Sequence, residues 1–275
     1  DLSWNRMRPE GARTVAFCLA SNRGLNHIDL SGNNLGSDGT ESICTVLADG
    51  TNNTLCSLDL TSNALGPAGV APVALMLASC FSLTKLILNE NALGAAGAEK
   101  LAVAMKTNRG LDTLGLDMND IGDDGCVALA RSVASNLGNH LNDLSLDSNG
   151  IGDTGALALS DTLKGSRHMS LNTVKLSGNA VTDDGARALL ASAVSNAELF
   201  SLDVGTNKIR DSSIARDISD ACVSNKVKAK ELIATGKMKP KGSSGYAGNG
   251  SAIDGSTAGL EGSSNAVRSL EGLLD

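Results

Sequence analysis

Any chemistry in this 275-residue chain has to start from three histidines, six cysteines and thirty acidic residues. Catalysis needs a nucleophile, a base or a metal set converging on one pocket. His27, His140 and His168 stand in distant stretches, so no pair can be argued to share a metal or to form a triad with a particular Ser or Cys. Cys18, Cys44, Cys56, Cys80, Cys126 and Cys222 show neither a Cys-x-x-Cys pair nor any other metal-ligand spacing. A phosphate-cradling Gly-x-x-x-x-Gly-Lys-Ser/Thr loop is missing too. The expectation is therefore no catalytic residue, no cofactor and no metal. Asp123, Asp153, Asp183 and Asp211 recur as ligands might, but each sits just ahead of a helical stretch, where a carboxylate caps free backbone N–H groups. What remains is the chemistry of recognition. Asp29, Asp59, Asp117, Asp147 and Asp203, opposed chiefly by Lys85 and Lys175, suit the docking of Lys or Arg side chains from a partner.

The elements that must position those acids follow from one recurring residue. Asn5, Asn33, Asn63, Asn91, Asn119, Asn149, Asn179 and Asn207 are spaced by 28 or 30 residues. Each sits in the frame exemplified by Leu25-x-x-Ile28-x-Leu30-x-x-Asn33-x-Leu35-Gly36-x-x-Gly39. A period of this length predicts stacked strand–turn–helix units that bury their apolar sides only against their neighbours. The strand half alternates, as in Leu111-x-x-Leu114-x-Leu116. Beyond the second Gly the period lengthens. Val15, Ile43, Val73, Leu101, Leu129, Leu159 and Leu189 stand four residues on, and Leu19, Leu47, Leu77, Met105, Val133, Leu163 and Ala193 eight residues on, which is one face of a helix. The asparagine amide has donors and acceptors for the turn leaving each strand, so the eight asparagines read as a buried structural ladder.

These residues resemble the ribonuclease-inhibitor class of leucine-rich repeats, a family that also includes the Ran GTPase-activating protein and the sensor regions of NOD-like receptors. The resemblance covers roughly residues 1–225. It implies an α/β horseshoe with a parallel sheet on the concave side and α-helices on the convex side. It also implies a non-enzymatic scaffold that binds a partner protein through the concave sheet and rims. A GTPase-activating regulator of a small GTPase and a NOD-like receptor sensor are the alternatives. On the concave face the strands would present His27, Asp29 and Ser31, then Ser57, Asp59 and Thr61, and so on, with Asp117 and Asp147 about 5 Å apart, the spacing of paired strands.

Composition narrows the classes further. A net charge of −7 argues against nucleic acid and permits a basic partner. With aromatics at 2%, the core must come from Leu, Ile, Val and Ala. No apolar run reaches membrane-spanning length and no signal-peptide pattern opens the chain. Scattered thiols suit a reduced, intracellular, cytoplasmic protein. Asn52-Asn53-Thr54 and Asn249-Gly250-Ser251 match the glycosylation sequon by chance. The chain opens inside a repeat, as a fragment of a longer protein would, and Trp4 occupies that first turn, where it could anchor a partner or shield the end. Residues 226–241 read as a Lys-rich helical extension, and 242–275 as a Gly/Ser-rich flexible tail in which Val267, Leu270 and Leu274 share a helical face. Such a chain works alone or as a subunit of a larger assembly.

Overall fold

The computed structural model describes residues 1–138, 140–165, 171–235 and 237. His168, Lys239, Lys241, the sequon at Asn249 and the tail with Val267, Leu270 and Leu274 lie outside the described residues. The chain divides into two units, Asp1–Lys226 and Val227–Asp275. The described part of the second consists of the closing helical turns up to Ala234, with residues 235 and 237.

Within the first unit helices and strands alternate without exception. In chain order they are α1 (Arg8–Ser21), β1 (His27–Asp29), α2 (Gly36–Ala48), β2 (Ser57–Asp59), α3 (Gly66–Ser79), β3 (Lys85–Ile87), α4 (Gly94–Met105) and β4 (Thr113–Gly115). Then follow α5 (Gly122–Ser135), β5 (Asp143–Ser145), α6 (Asp153–Gly165), β6 (Thr173–Lys175), α7 (Asp183–Ser195), β7 (Ser201–Asp203) and α8 (Ser212–Ala234), which runs on into the second unit. The strands form one parallel sheet in sequence order, and each residue pairs with its equivalent one repeat away, as His27 with Ser57 and Gly115 with Ser145. The middle residue of every strand, from Ile28 through Leu58, Leu86, Leu114, Leu144 and Val174 to Leu202, is buried against the helical layer. This is the expected α/β solenoid with a parallel sheet.

Helix formation follows the apolar spacing. Residues four and eight beyond the repeated Gly are buried, except Val15, which is only partly covered. Each buried Leu contributes roughly 1.5–3 kcal/mol relative to exposure. A strand of three residues, by contrast, offers few ladder hydrogen bonds, so the backbone groups of the turns on either side of it need further partners.

The recurring asparagine supplies them. Asn119 Oδ1 accepts from the N–H groups of Asn91 and Leu93 in the preceding repeat, at 3.0 and 3.4 Å. Its Nδ2 donates back to Leu88 O at 3.0 Å and to Asp117 O at 3.1 Å. Asn33, Asn63, Asn91, Asn149 and Asn179 repeat this arrangement and are buried. At the ends the burial fails: Asn5 is exposed and Asn207 half-buried. The turns are tight enough to force positive φ at alternate residues, among them Ser62, Ala64 and Gly66, then Glu90, Ala92 and Gly94. A residue other than Gly there costs about 1–2 kcal/mol, a cost the ladder bonds help to offset.

Replacing Asn119 by Ala removes a buried acceptor and donor at once and is expected to cost about 1–3 kcal/mol. Urea melts of Asn119→Ala read this directly, and an unchanged midpoint would mean that these amides do not hold the turns together.

Candidate functional site

The outward face of the sheet carries three rows of side chains. The first runs His27, Ser57, Lys85, Thr113, Asp143, Thr173, Ser201; the second Asp29, Asp59, Ile87, Gly115, Ser145, Lys175, Asp203. The third lies two residues further on: Ser31, Thr61, Asn89, Asp117, Asp147, Ser177, Gly205. The five acids share one face but not one run. Asp29 and Asp59 are neighbours in the second row, Asp117 and Asp147 in the third, and Asp203 pairs in register with Lys175. Ile87 and Gly115 break the second row between them. Lys85 and Lys175 are exposed, as is Asp203, while the other four acids are half-buried.

A backbone requirement explains why carboxylates stand there. The third-row N–H points away from the β-ladder and needs an acceptor. In the first, second and last repeats the aspartate two residues earlier provides it: Asp29 to Ser31 N at 2.8 Å, Asp59 to Thr61 N at 2.9 Å, Asp203 to Gly205 N at 2.8 Å. Where the second row holds Gly115, Ser145 or Lys175, the acceptor comes from the repeat before. Asn89 Oδ1 takes Asp117 N at 2.9 Å, Asp117 Oδ1 takes Asp147 N at 2.9 Å, and Asp147 Oδ1 takes Ser177 N at 2.7 Å. Asp117 Oδ1 also accepts the Ser145 hydroxyl at 2.5 Å. Gly115 leaves room beside this chain of bonds, since a Cβ there would sit 3.0 Å from both Asn89 Oδ1 and Ile87 Cδ1.

The consequence falls on Asp147. Burial pushes its carboxyl above the ordinary value of 3.8, and the neighbouring charges of Asp117 and Asp203 push the same way. The Ser177 N–H and the Lys175 ammonium act in the opposite sense without cancelling it. Asp147 is thus a carboxylate whose negative charge is incompletely matched, on a face open to a partner.

The helix-start aspartates do something the local reading did not anticipate. Asp123, Asp153 and Asp183 lie in or at the first turn of their own helices, yet their side chains cap the next repeat. Asp123 Oδ1 accepts from Gly152 and Gly155 N–H, both at 2.8 Å. Asp153 accepts from Thr182 and Gly185 N–H at 2.8 and 3.1 Å and from the Thr182 hydroxyl at 2.6 Å. Asp183 accepts from Arg210 and Asp211 N–H at 2.8 and 3.1 Å. Asp211 alone caps its own helix, through Ser213. The close approach demands Gly185, where a Cβ would meet Asp153 Oδ1 at 2.5 Å.

Sequence reasoning missed a second asparagine ladder in the return loops. The Asn52 side chain donates to Leu19 O and Asn22 O, Asn108 to Leu77 O, Asn136 to Met105 O and Asn108 O, Asn196 to Leu163 O, and Asn225 to Ala193 O and Asn196 O. These are last-turn helix carbonyls and loop carbonyls with no helical partner of their own. The same 28-to-30 period would have found this ladder, but Cys80 and Ser166 interrupt it. Asn52 is almost fully buried in it, so the Asn52 sequon is closed to modification in the folded chain.

His27 and His140 are exposed, far apart in the fold order, and no group of three or more His, Cys, Asp or Glu among the described residues could hold a metal. All six cysteines are free thiols. Burial pushes Cys126 up to about 12, with Asp123 adding to the effect, and Cys222 up to about 11; Cys44 is raised further by burial and by Cys80. No described helix is long and apolar enough to cross a membrane.

The family described as Leucine Rich repeat matches residues 21–44, 51–74, 79–102, 107–130, 139–160 and 167–190, together more than half of the chain. The chain belongs to the leucine-rich repeat family. No curated protein matches this leucine-rich repeat chain in sequence. Similar solved structures include leiomodin-1 actin-binding site 2, at 13% identity and TM-score 0.47 over 73% of this chain and 95% of that one. The leucine-rich repeat protein LegL7 of Legionella pneumophila matches at 21% identity and TM-score 0.48, over 70% and 60% of the two chains. Rad7, in the Rad7–Elc1 complex of yeast, matches at 16% identity and TM-score 0.32, over 78% and 70%. Likenesses of this level carry nothing about partners.

Asp147 and Asp153 are expected to respond oppositely to pH. The Asp147 pKa is raised on folding, so its protonated form favours the fold, and that contribution is lost as pH rises from 3.8 through the raised value. The Asp153 pKa is lowered: burial works against ionisation, but the Thr182 hydroxyl and the Thr182 and Gly185 N–H groups outweigh it, so its contribution is present at neutral pH and lost on acidification through the lowered value. Asp147→Asn should therefore match or exceed the parent in stability at neutral pH and lose that advantage near pH 4. Asp153→Ala should cost about 1 kcal/mol at neutral pH, as for a lost helix cap. Urea midpoints at the two pH values check both, and a clearly destabilised Asp147→Asn at neutral pH would contradict the charge account.

Proposed function

We propose that this leucine-rich repeat chain is a non-enzymatic scaffold that docks a partner protein with a basic surface on the outward face of its sheet. Leucine-rich repeat proteins are in general interaction scaffolds, and repetition of this kind builds surface rather than reaction centres. The observation that carries the finer reading is Asp147. Its carboxyl is pushed up by burial and by Asp117 and Asp203, so a Lys or Arg brought against it would relieve an existing electrostatic cost. Asp29 and Asp59 extend the acidic surface at one end, Asp203 at the other, and Lys85 and Lys175 set the register in which cations are accepted. A reducing, intracellular site of action forms part of the proposal, since it keeps six unpaired thiols reduced.

Charge complementarity chiefly accelerates encounter and selects partners, and it is screened over about 8 Å at physiological salt. With a lysine-rich peptide as probe, Asp117→Asn/Asp147→Asn should associate several-fold more slowly than the parent at low salt, and the two rates should converge at high salt. Stopped-flow rates across a salt series measure this. Equal rates at low salt would remove the acids from the docking surface.

A further inference from the structure

Among the described helices α3 alone holds no charged residue: Gly66–Ser79 is built from Gly, Pro, Ala, Val, Leu, Met and a closing Ser. Its inner side packs the core with Val70, Val73, Met76 and Leu77, as the repeat requires. Its outer side is apolar as well. Pro67, Ala68, Ala71, Leu75 and Ala78 are exposed, Leu75 at 71%. Every other described helix exposes charged side chains on that side, as Glu41 in α2, Glu99 and Lys100 in α4 and Arg131 in α5. A helix apolar on all sides is ordinarily a buried one, and α3 is buried on only one.

Between α2 and α3 the helical layer opens a groove of about 580 Å³. Cys44 and Ala48 of α2 and Ala68, Ala71, Pro72 and Leu75 of α3 give it apolar walls, and Glu41 and Asp49 add two acids. Both acids are exposed, and neither is in an ion pair, since the single pair among the described residues is Arg187–Asp184. Eight residues part them, about 12 Å along a helix. α3 brings them no cation, and Lys100 of α4 is held at Pro67 O at 2.9 Å. Asp49 caps the C-terminal end of α2, where the helix dipole already favours a positive charge. Pro72 adds a backbone acceptor. Having no N–H, it leaves the Ala68 carbonyl without its usual helix donor, and both residues line the groove.

We propose that the groove between α2 and α3 docks an amphipathic helix of a partner protein, apolar on its seated face and carrying Lys or Arg about two turns apart. The apolar side chains cover Ala71, Pro72 and Leu75 in the helix-in-groove manner. The two cations meet Glu41 and Asp49, and a donor of the partner has the Ala68 carbonyl as a further acceptor. This groove lies on the helical side of the solenoid and shares no residue with the sheet face, so it goes beyond the docking proposed there.

The probe is a short helical peptide with Leu along one face and Lys two turns apart, titrated calorimetrically into the full chain. Saturable binding that weakens with added salt is expected. Leu75→Arg and Ala71→Arg install a residue that the repeat itself carries at those places, as Arg131 in α5 and as Arg13 and Arg187 in α1 and α7. Each should keep the melting temperature of the parent and bind about tenfold or more weakly, which corresponds to about 1.4 kcal/mol. Glu41→Gln should weaken binding several-fold at low salt and little at high salt. Asp117→Asn/Asp147→Asn should bind as the parent does, which separates this groove from the sheet face. No saturable binding, or undiminished affinity in either arginine variant, overturns the site. Loss of binding in the sheet-face variant does so too, by placing the peptide on the sheet. Equal affinity for a peptide with Glu in place of Lys would overturn the basic partner. A parent that sediments as a dimer which Leu75→Arg dissociates would assign the groove to a second copy. Tighter binding to phosphatidylcholine vesicles than to the peptide would assign it to a membrane, and either result overturns the proposal.

Discussion

The constraint on which this solenoid depends is the satisfaction of backbone groups between very short strands. Three residues per strand leave each repeat with more N–H and C=O groups in turns than in ladders, and those turns pack against apolar neighbours where water cannot serve them. An unpaired buried donor or acceptor costs about 1–3 kcal/mol, so a stack of seven strands survives only if side chains take the place of water. Four sets do so. The turn asparagines join Asn5 to Asn207, the return-loop asparagines close the helix ends, Asp123, Asp153 and Asp183 cap the following repeat, and the sheet-face acids with Asn89 hold the third-row N–H groups. Apolar burial supplies most of the stabilisation, and these polar ladders decide the register in which it is collected.

How much of this could be read in the sequence depends on how far each residue reaches. The turn asparagines are legible because their spacing and their partners share one period. The helix-start aspartates are legible as caps but not as caps of the next helix. A local rule looks three residues ahead, and the true partners of Asp153 lie 29 and 32 residues on. The return-loop ladder hid behind the breaks at Cys80 and Ser166, and also because polar loop residues are ordinarily solvated, whereas Asn52, Asn108 and Asn136 are buried. Positive φ at Trp4, Arg6 and Arg8 has no signature in side chains that seldom adopt it.

The same accounting changes the meaning of the candidate site. Asp29, Asp59, Asp117, Asp147 and Asp203 look from their spacing like a row of free charges, but each already has a backbone N–H to hold. Structural duty and recognition are compatible, because a carboxylate bound through one oxygen keeps acceptor capacity on the other. In Asp147 the two roles meet. Its N–H bond to Ser177 fixes its position, while burial and Asp117 make the fixed charge uncomfortable. A surface built in this way is pre-organised for a cation rather than flexible around one.

The central claim is that side-chain amides, rather than solvent, hold the turns of the stack. Native-state amide hydrogen exchange tests it most directly at Asn63, Asn91, Asn119 and Asn149, whose N–H groups each bond to the next asparagine in the row at 2.9–3.0 Å. The account predicts that these four amides, though they lie in turns, exchange as slowly as the buried strand amides and only through global opening. Exchange as fast as that of an exposed turn residue such as Thr206 would contradict it.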